Sequence, residues 1–297
     1  MRLVCPPGST ARIFDRGGEV VSAENVVRIL ANDPNRLLVS ASDSRLYVLK
    51  LYEDHIKHRS LLREGLGTEL AAYLGLPVSP WRPIYVSKDF ISASSHVWGK
   101  GRPSAGAYFG SWMIGQNSGD LVSDYLPKTW FHRIENRPAF IGTLMLDIWA
   151  RNAHTRRAIF LQEADNTGYQ AIFVGFSEMF STQVDYSSAT MAGRYFRRCI
   201  YEGLWSESTF SFWQRKIVAI QRQRLRRLVS QLPKEWVDPD DAEQIISRLI
   251  ASQKMIKRLQ FHSFDPFSEP WDFPGGGVSI AIPPSSWRTF AKIAFGV

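Results

Sequence analysis

Along RLLVSASDSRLYVLKLY (36–52), two apolar runs flank Ser42-Asp43-Ser44. Turn-favouring side chains between β-forming runs predict a hairpin, and strands are expected over residues 10–52. The period then lengthens. Leu62, Leu66, Leu70, Tyr73 and Leu74 recur at helical spacing, which predicts a helix over 56–74, with Gly75 as its C-cap and Pro77 barring continuation. Further on, WRPIYV (81–86) and FISASSHVW (90–98) predict two more strands. A Gly/Ser/Pro-rich loop over 99–119 carries a short strand, AYFGSWM (107–113).

From about residue 128 the pattern turns helical. RPAFIGTLMLDIWARN (137–152) is apolar on most sides and predicts a buried helix. AIFL (158–161) and AIFV (171–174) then predict a β-hairpin, and helices dominate 195–262. Within these, QRKIVAIQRQRLRRLVSQL (214–232) places Ile217, Ile220, Leu225, Leu228 and Leu232 on one side of an amphipathic helix. The predicted class is α+β. A small β-rich lobe with one helix (1–115) is hinged to a larger helical lobe carrying the hairpin (116–262), and an extended tail (263–297) follows.

Composition adds little that contradicts this. Hydrophobic residues make up 44% of the 297 positions, including ten Trp and eighteen Phe, ample for a core. No apolar run approaches the length of a membrane span, and MRLVCPPGSTAR has no apolar leader. Cys5 and Cys199 form neither a disulfide framework nor a metal spacing, which fits a reducing cytoplasm. The net charge of +8 gathers in RYFRRCIYEG (194–203) and in 214–232. There Arg215, Arg222, Arg224, Arg226 and Arg227 could face a nucleic acid or an acidic partner. The apolar period of the same stretch favours the solvated side of an amphipathic helix instead.

Candidate chemistry lies in two places. Lys50 ends the alternation in LYVLK, on a strand among apolar neighbours, where a lysine can hold phosphates if a helix carboxylate orients it. Glu64 and Glu69 are the candidate carboxylates, and spacing against the apolar stripe favours Glu69. The second place is WARNAHTRRAIFLQEADNTGYQAIFVGFSEMF (149–180), laid out as helix, polar loop, strand, turn, strand, loop. Phosphoryl transfer needs a carboxylate in each loop, and this chain offers His154 and Gly175.

RLYVLK, REGLGTELAAYLGLPVSP, AYFGSWMIG, SDYLP, LMLDIWARNAHTRRAIF, AIFVGFSEMF, RRCIYEG and LPKEW occur in an order and spacing that resemble the bacterial HipA-like kinase family over roughly residues 36–260. The resemblance implies a bilobal protein-kinase-like fold and, in active members, an ATP- and magnesium-dependent protein serine/threonine kinase. It matches Lys50 to the strand lysine that contacts ATP phosphates. It also matches Glu64, rather than Glu69, to the helix glutamate; Arg63-Glu64 stands where the family shows Asn-Glu. Asn152-Ala153-His154 aligns with Asn, a small residue and the catalytic Asp. Val174-Gly175-Phe176-Ser177 aligns with an apolar residue, the metal-binding Asp, His and Gly.

Both departures fall on carboxylates. Imidazole titrates near neutrality and can act as a base, so Asn152 and His154 remain the candidate catalytic residues. Glycine supplies no magnesium ligand. Glu178 could reach back only if the loop is rebuilt, and neither Asp147 nor Asp165 is well placed. The expected function is a catalytically impaired, pseudokinase-type protein that retains ATP binding through Lys50 and Glu64, does not hold magnesium, and serves an unidentified protein partner. The alternatives are a working kinase using His154, or a nucleic-acid or acidic-partner module using 194–227.

Overall fold

The computed structural model describes residues 20–30, 33–52, 54–98, 103–116, 118–152, 154–181 and 198–263. The chain divides into two units, residues 1–264 and 265–297. All but the first residue of the expected tail lies outside the described residues, as do the strand expected at 10–19 and residues 194–197 of the basic stretch.

Strands β1 (Ala23–Leu30), β2 (Asp33–Ala41) and β3 (Leu46–Lys50) form an antiparallel meander. The predicted hairpin turn is there, with Ser44 at φ 60° and Tyr47 Oη donating to Asp43 Oδ2 at 2.7 Å. Register pairs Arg36 with Lys50 and Leu38 with Val48. Helix α1 (Asp54–Tyr73) follows, burying Leu61, Leu62, Leu66 and Leu70. It ends as predicted at Gly75, whose φ of +80° few other residues adopt without strain. Tyr73 departs from the expected stripe: it lies at the surface under the Arg224 guanidinium, 4.3 Å from its ring centre.

β4 (Trp81–Val86) is the predicted WRPIYV strand. The segment after it is a correction, because Lys88–Ala93 is helix α2 rather than a strand. Ser87 caps that helix, its hydroxyl accepting from Phe90 N at 3.0 Å, and Asp89 sits in the first turn where the helix dipole favours it. Such a cap outweighs the β-tendency of FIS. β5 (Gly106–Trp112) then enters between β3 and β4, giving the sheet order β1-β2-β3-β5-β4. A bridge between Ser22 and Tyr85 ties the chain just before β1 to the far strand.

The remainder is mostly helical. β6 (Leu121–Ser123) joins β7 (Arg157–Gln162) and β8 (Gln170–Val174) in a second, three-stranded sheet. Helix α3 (Ala139–Trp149), buried from Phe140 to Trp149, delivers the chain into β7. Trp149 Nε1 donates to Leu249 O at 2.9 Å, fixing α3 against the last long helix. β8 is tied to the segment between α1 and β4, where Phe173 N donates to Pro77 O at 2.8 Å.

The single helix expected over 214–232 is two: α4 (Glu207–Val218) and α5 (Arg222–Val229). Ile217, Ile220, Leu225, Leu228 and Leu232 are all buried, so the apolar stripe survives the break. Gln253, on helix α6 (Pro239–Arg258), explains it. Its amide donates to Ile217 O at 2.8 Å and Ile220 O at 2.7 Å, satisfying carbonyls that a continuous helix would have used. No described helix is long and apolar enough to cross a membrane.

Candidate active site

Lys50 stands at the end of β3 with Nζ 2.7 Å from Glu64 Oε1. Helix α1 carries Glu64 to the same face of the sheet, where it is 2% exposed. Its second oxygen, Oε2, accepts from the backbone N–H groups of Phe176 (3.1 Å) and Ser177 (2.9 Å). Burial by itself pushes the Glu64 carboxyl up. The charge and hydrogen bond of Lys50, with those two N–H donors, more than reverse this and hold it below the usual glutamate range. Glu64 is therefore an ionised bridge between the strand lysine and the loop after β8.

That loop comes close because α1 has a glycine one turn past Glu64. A Cβ at Gly67 would lie 2.6 Å from Phe176 Cβ and 2.9 Å from Met179 Sδ, so only a bare backbone lets the loop sit there. Glu69, which helical spacing favoured, is occupied elsewhere, accepting from Trp81 Nε1 at 2.9 Å. Five residues beyond Glu64, it projects from another face of the helix.

The hairpin loops are organised by an interior ion pair that sequence reading missed. Asp147, in the last turns of α3, is fully buried and takes a two-point contact from Arg156: Nε to Oδ2 at 2.9 Å, and Nη2 to Oδ1. Asn152 Nδ2 donates to the same Oδ1 at 3.1 Å, and Asn152 Oδ1 accepts from His154 N at 3.1 Å. Burial raises the Asp147 carboxyl, with Arg156 and Asn152 acting against it. Arg156 Nη1 also donates to Val174 O (3.2 Å) and Gly175 O (2.8 Å), and its guanidinium lies 4.2 Å from the Phe176 ring centre. One guanidinium thus fixes the loop before β7 to the loop after β8. The sequence signal available was an Asp as the one charged residue of an otherwise mostly apolar helix, which has to find a partner.

Asn152 is thus buried and engaged in supporting the loop. His154 is 70% exposed, with Nε2 3.6 Å from Glu178 Oε2, itself 53% exposed. Gly175 has φ +79° and open space around its would-be Cβ. Magnesium is not matched by these residues. Residue 175 brings no side-chain oxygen and its carbonyl accepts from Arg156, Glu64 is committed on both of its oxygens, and Glu178 faces His154. Among the described residues no group of three or more His, Cys, Asp or Glu is placed to hold a metal ion.

The basic helix is partly neutralised. Arg222 and Arg226 both contact Glu243, the latter with Nη2 to Oε1 at 3.1 Å, while Arg224 covers Tyr73.

The small antiparallel sheet and the larger helical part make up a bilobal, protein-kinase-like fold. No family model matches the chain, and no curated protein does. Among solved structures it is similar to the Helicobacter pylori proinflammatory kinase CtkA, at 10% identity and TM-score 0.47, over 75% of this chain and 91% of that one. It is also similar to HipA of Shewanella oneidensis MR-1, solved with HipB and operator DNA, at 10% identity and TM-score 0.45, over 82% and 67% of the two chains. Hydra Fam20, solved with sugar, gives 9% identity and TM-score 0.46 over 80% and 84%.

Proposed function

We propose that this chain is a kinase-fold protein that binds nucleotide through Lys50 but has lost efficient phosphoryl transfer, and that it acts by binding rather than by catalysis. The observation that carries the reading is the Glu64 bridge. Its two oxygens orient Lys50 and fix the loop at Phe176–Ser177, yet the residue heading that loop is glycine. The phosphate-binding half of a phosphotransfer site is assembled, and the metal-binding carboxylate is missing from it. We place the joint between the two lobes at residues 115–116, where β5 has run out.

A second reading has one observation in its favour. His154 and Glu178 form an imidazole–carboxylate pair at 3.6 Å, an arrangement that can serve as a general base. The two readings separate in one experiment. ATP binding is measured by calorimetry, and transfer by radiolabelling, in the wild type, Lys50→Ala and His154→Ala. The expected result is ATP binding that Lys50→Ala weakens by about 1–3 kcal/mol, as for a lost charge-assisted contact, with labelling at background throughout. Robust labelling abolished by His154→Ala would establish the second reading.

A further inference from the structure

Lys57, in the first turns of α1, is only 7% exposed, yet no carboxylate touches it among the described residues. Its ammonium donates to Ser104 Oγ at 3.1 Å and lies 4.0 Å from the centre of the Tyr108 ring. An ammonium carries three N–H donors, so one neutral acceptor and a ring face leave it under-satisfied. Burial pushes the amine below the ordinary lysine range, with the charges of Asp54 and Glu235 acting against it.

Beside the ammonium is a cavity of about 210 Å³. Asp54, Lys57 and His58 line it from α1, Ser104 and Gly106 from the entry to β5, and Glu235 and Trp236 from the 3₁₀ turn Lys234–Trp236. Its walls are tied together. Ala107 N donates to Glu235 Oε1 at 3.1 Å and Trp236 Nε1 donates to Ala107 O at 3.2 Å. His58 Nδ1 meets Glu235 O at 2.6 Å and must be the donor, because a carbonyl only accepts. Gly106 keeps the space open: at its φ of +138°, a Cβ would stand 3.2 Å from Lys57 Nζ. Glu235 Oε2 and the Asp54 carboxylate have no hydrogen-bond partner among the described residues.

The cavity therefore presents one buried cation and two carboxylates with oxygens to spare. A simple anion meets the carboxylates and a simple cation meets the ammonium, so neither is well matched. The volume is below the ~300–1,000 Å³ of sites for drug-sized ligands, which excludes a nucleotide. We infer that this cavity binds a small zwitterion, a free α-amino acid with a short apolar side chain. The ligand's carboxylate accepts from Lys57, its ammonium donates to Glu235 and Asp54, and its side chain lies against Trp236. A carboxylate beside Lys57 pairs a charge that the fold buries alone, where such a contact counts most. No lining residue belongs to the Lys50–Glu64 bridge, so the inference is independent of the nucleotide reading.

The test is calorimetry with L-alanine, with propionate and propylamine as single-charge controls, on the wild type, Lys57→Met and Glu235→Gln. Glu235→Gln keeps an acceptor for Ala107 N and changes an exposed residue, so it carries the test if Lys57→Met does not fold. L-Alanine should bind the wild type with a Kd of about 1 mM or tighter. Each control ligand and each variant should lose about tenfold or more. Propionate or propylamine binding as tightly as L-alanine overturns the zwitterion assignment. So does L-alanine binding that is unchanged in a folded Lys57→Met or in Glu235→Gln, and so does no L-alanine binding to the wild type at about 10 mM.

Discussion

Replacing Gly67 by alanine should destabilise the protein, although the same change on a solvent-facing helix stabilises by roughly 1 kcal/mol. The new methyl would stand 2.6 Å from Phe176 Cβ, an atom bonded to the backbone that cannot rotate away, and 2.9 Å from the flexible Met179 Sδ. Restoring an ordinary carbon–carbon separation of about 3.5–4.0 Å moves the loop by about 1 Å. A shift of that size breaks the Phe176 and Ser177 N–H bonds to Glu64, at 3.1 and 2.9 Å. Overpacking of this kind costs about 1–3 kcal/mol, and loss of hydrogen bonds to a charged acceptor adds to it. The net expectation, after the gain in helix propensity, is a loss of about 1–3 kcal/mol. Gly65→Ala is the internal control. Its methyl would meet Leu232 Cδ2 at 2.9 Å, the far end of a side chain that can turn aside, so the cost there should be smaller. Urea unfolding followed by tryptophan fluorescence should show a lowered midpoint with an unchanged slope for Gly67→Ala, together with weakened ATP binding. A Gly67→Ala protein as stable as the wild type, or less affected than Gly65→Ala, would refute the close-approach reasoning.

The Glu64 carboxyl is held below its ordinary value, so its stabilising contribution is complete above the unfolded pKa of about 4.3 and is lost as pH falls through the lower folded value. Glu64→Gln should therefore flatten the acid limb of a thermal-stability profile below about pH 4.5, and an unaltered limb would show that the pair is not ionised. Arg156→Met leaves the buried Asp147 carboxyl without its guanidinium partner and should cost about 3–5 kcal/mol in urea unfolding, much of it recovered in the Asp147→Leu/Arg156→Met double variant; equal losses in both would mean that the ion pair is not what holds the two loops together. His154→Ala, at a 70% exposed position, should change stability by no more than about 0.5 kcal/mol and leave ATP binding as it was, as calorimetry will show.

What the sequence made legible follows from where local signals dominate. The β2–β3 hairpin, α1 with its glycine stop, and the β7–β8 hairpin carry strong periodicity and turn chemistry, and all three form. FISASSHVW misled because one serine cap and one first-turn aspartate decide a six-residue helix, and apolar content alone does not register them. The break at 219–221 was hidden because the apolar stripe runs through it, and its cause, Gln253, lies far along the chain. The same limit applied to the site. Spacing alone chose Glu69. Glu64 is held by N–H donors on a loop more than a hundred residues away, a contact that helical spacing cannot register.

The place of β5 in the sheet has a consequence for how the chain is made. β3, the strand that carries Lys50, is not closed by the strand that follows it but by Gly106–Trp112, emerging after α1, β4 and α2. During synthesis the β1–β2–β3 meander therefore presents an open edge, and it does so with apolar Leu46, Val48 and Leu49 ready to pair. Such edges recruit other chains, and pairings between distant segments are slow to form. This ordering makes the nascent sheet the stage at which the protein is most exposed to aggregation. The Ser22–Tyr85 bridge, which can form before β5 arrives, would hold β4 near β1 while the gap it leaves is filled.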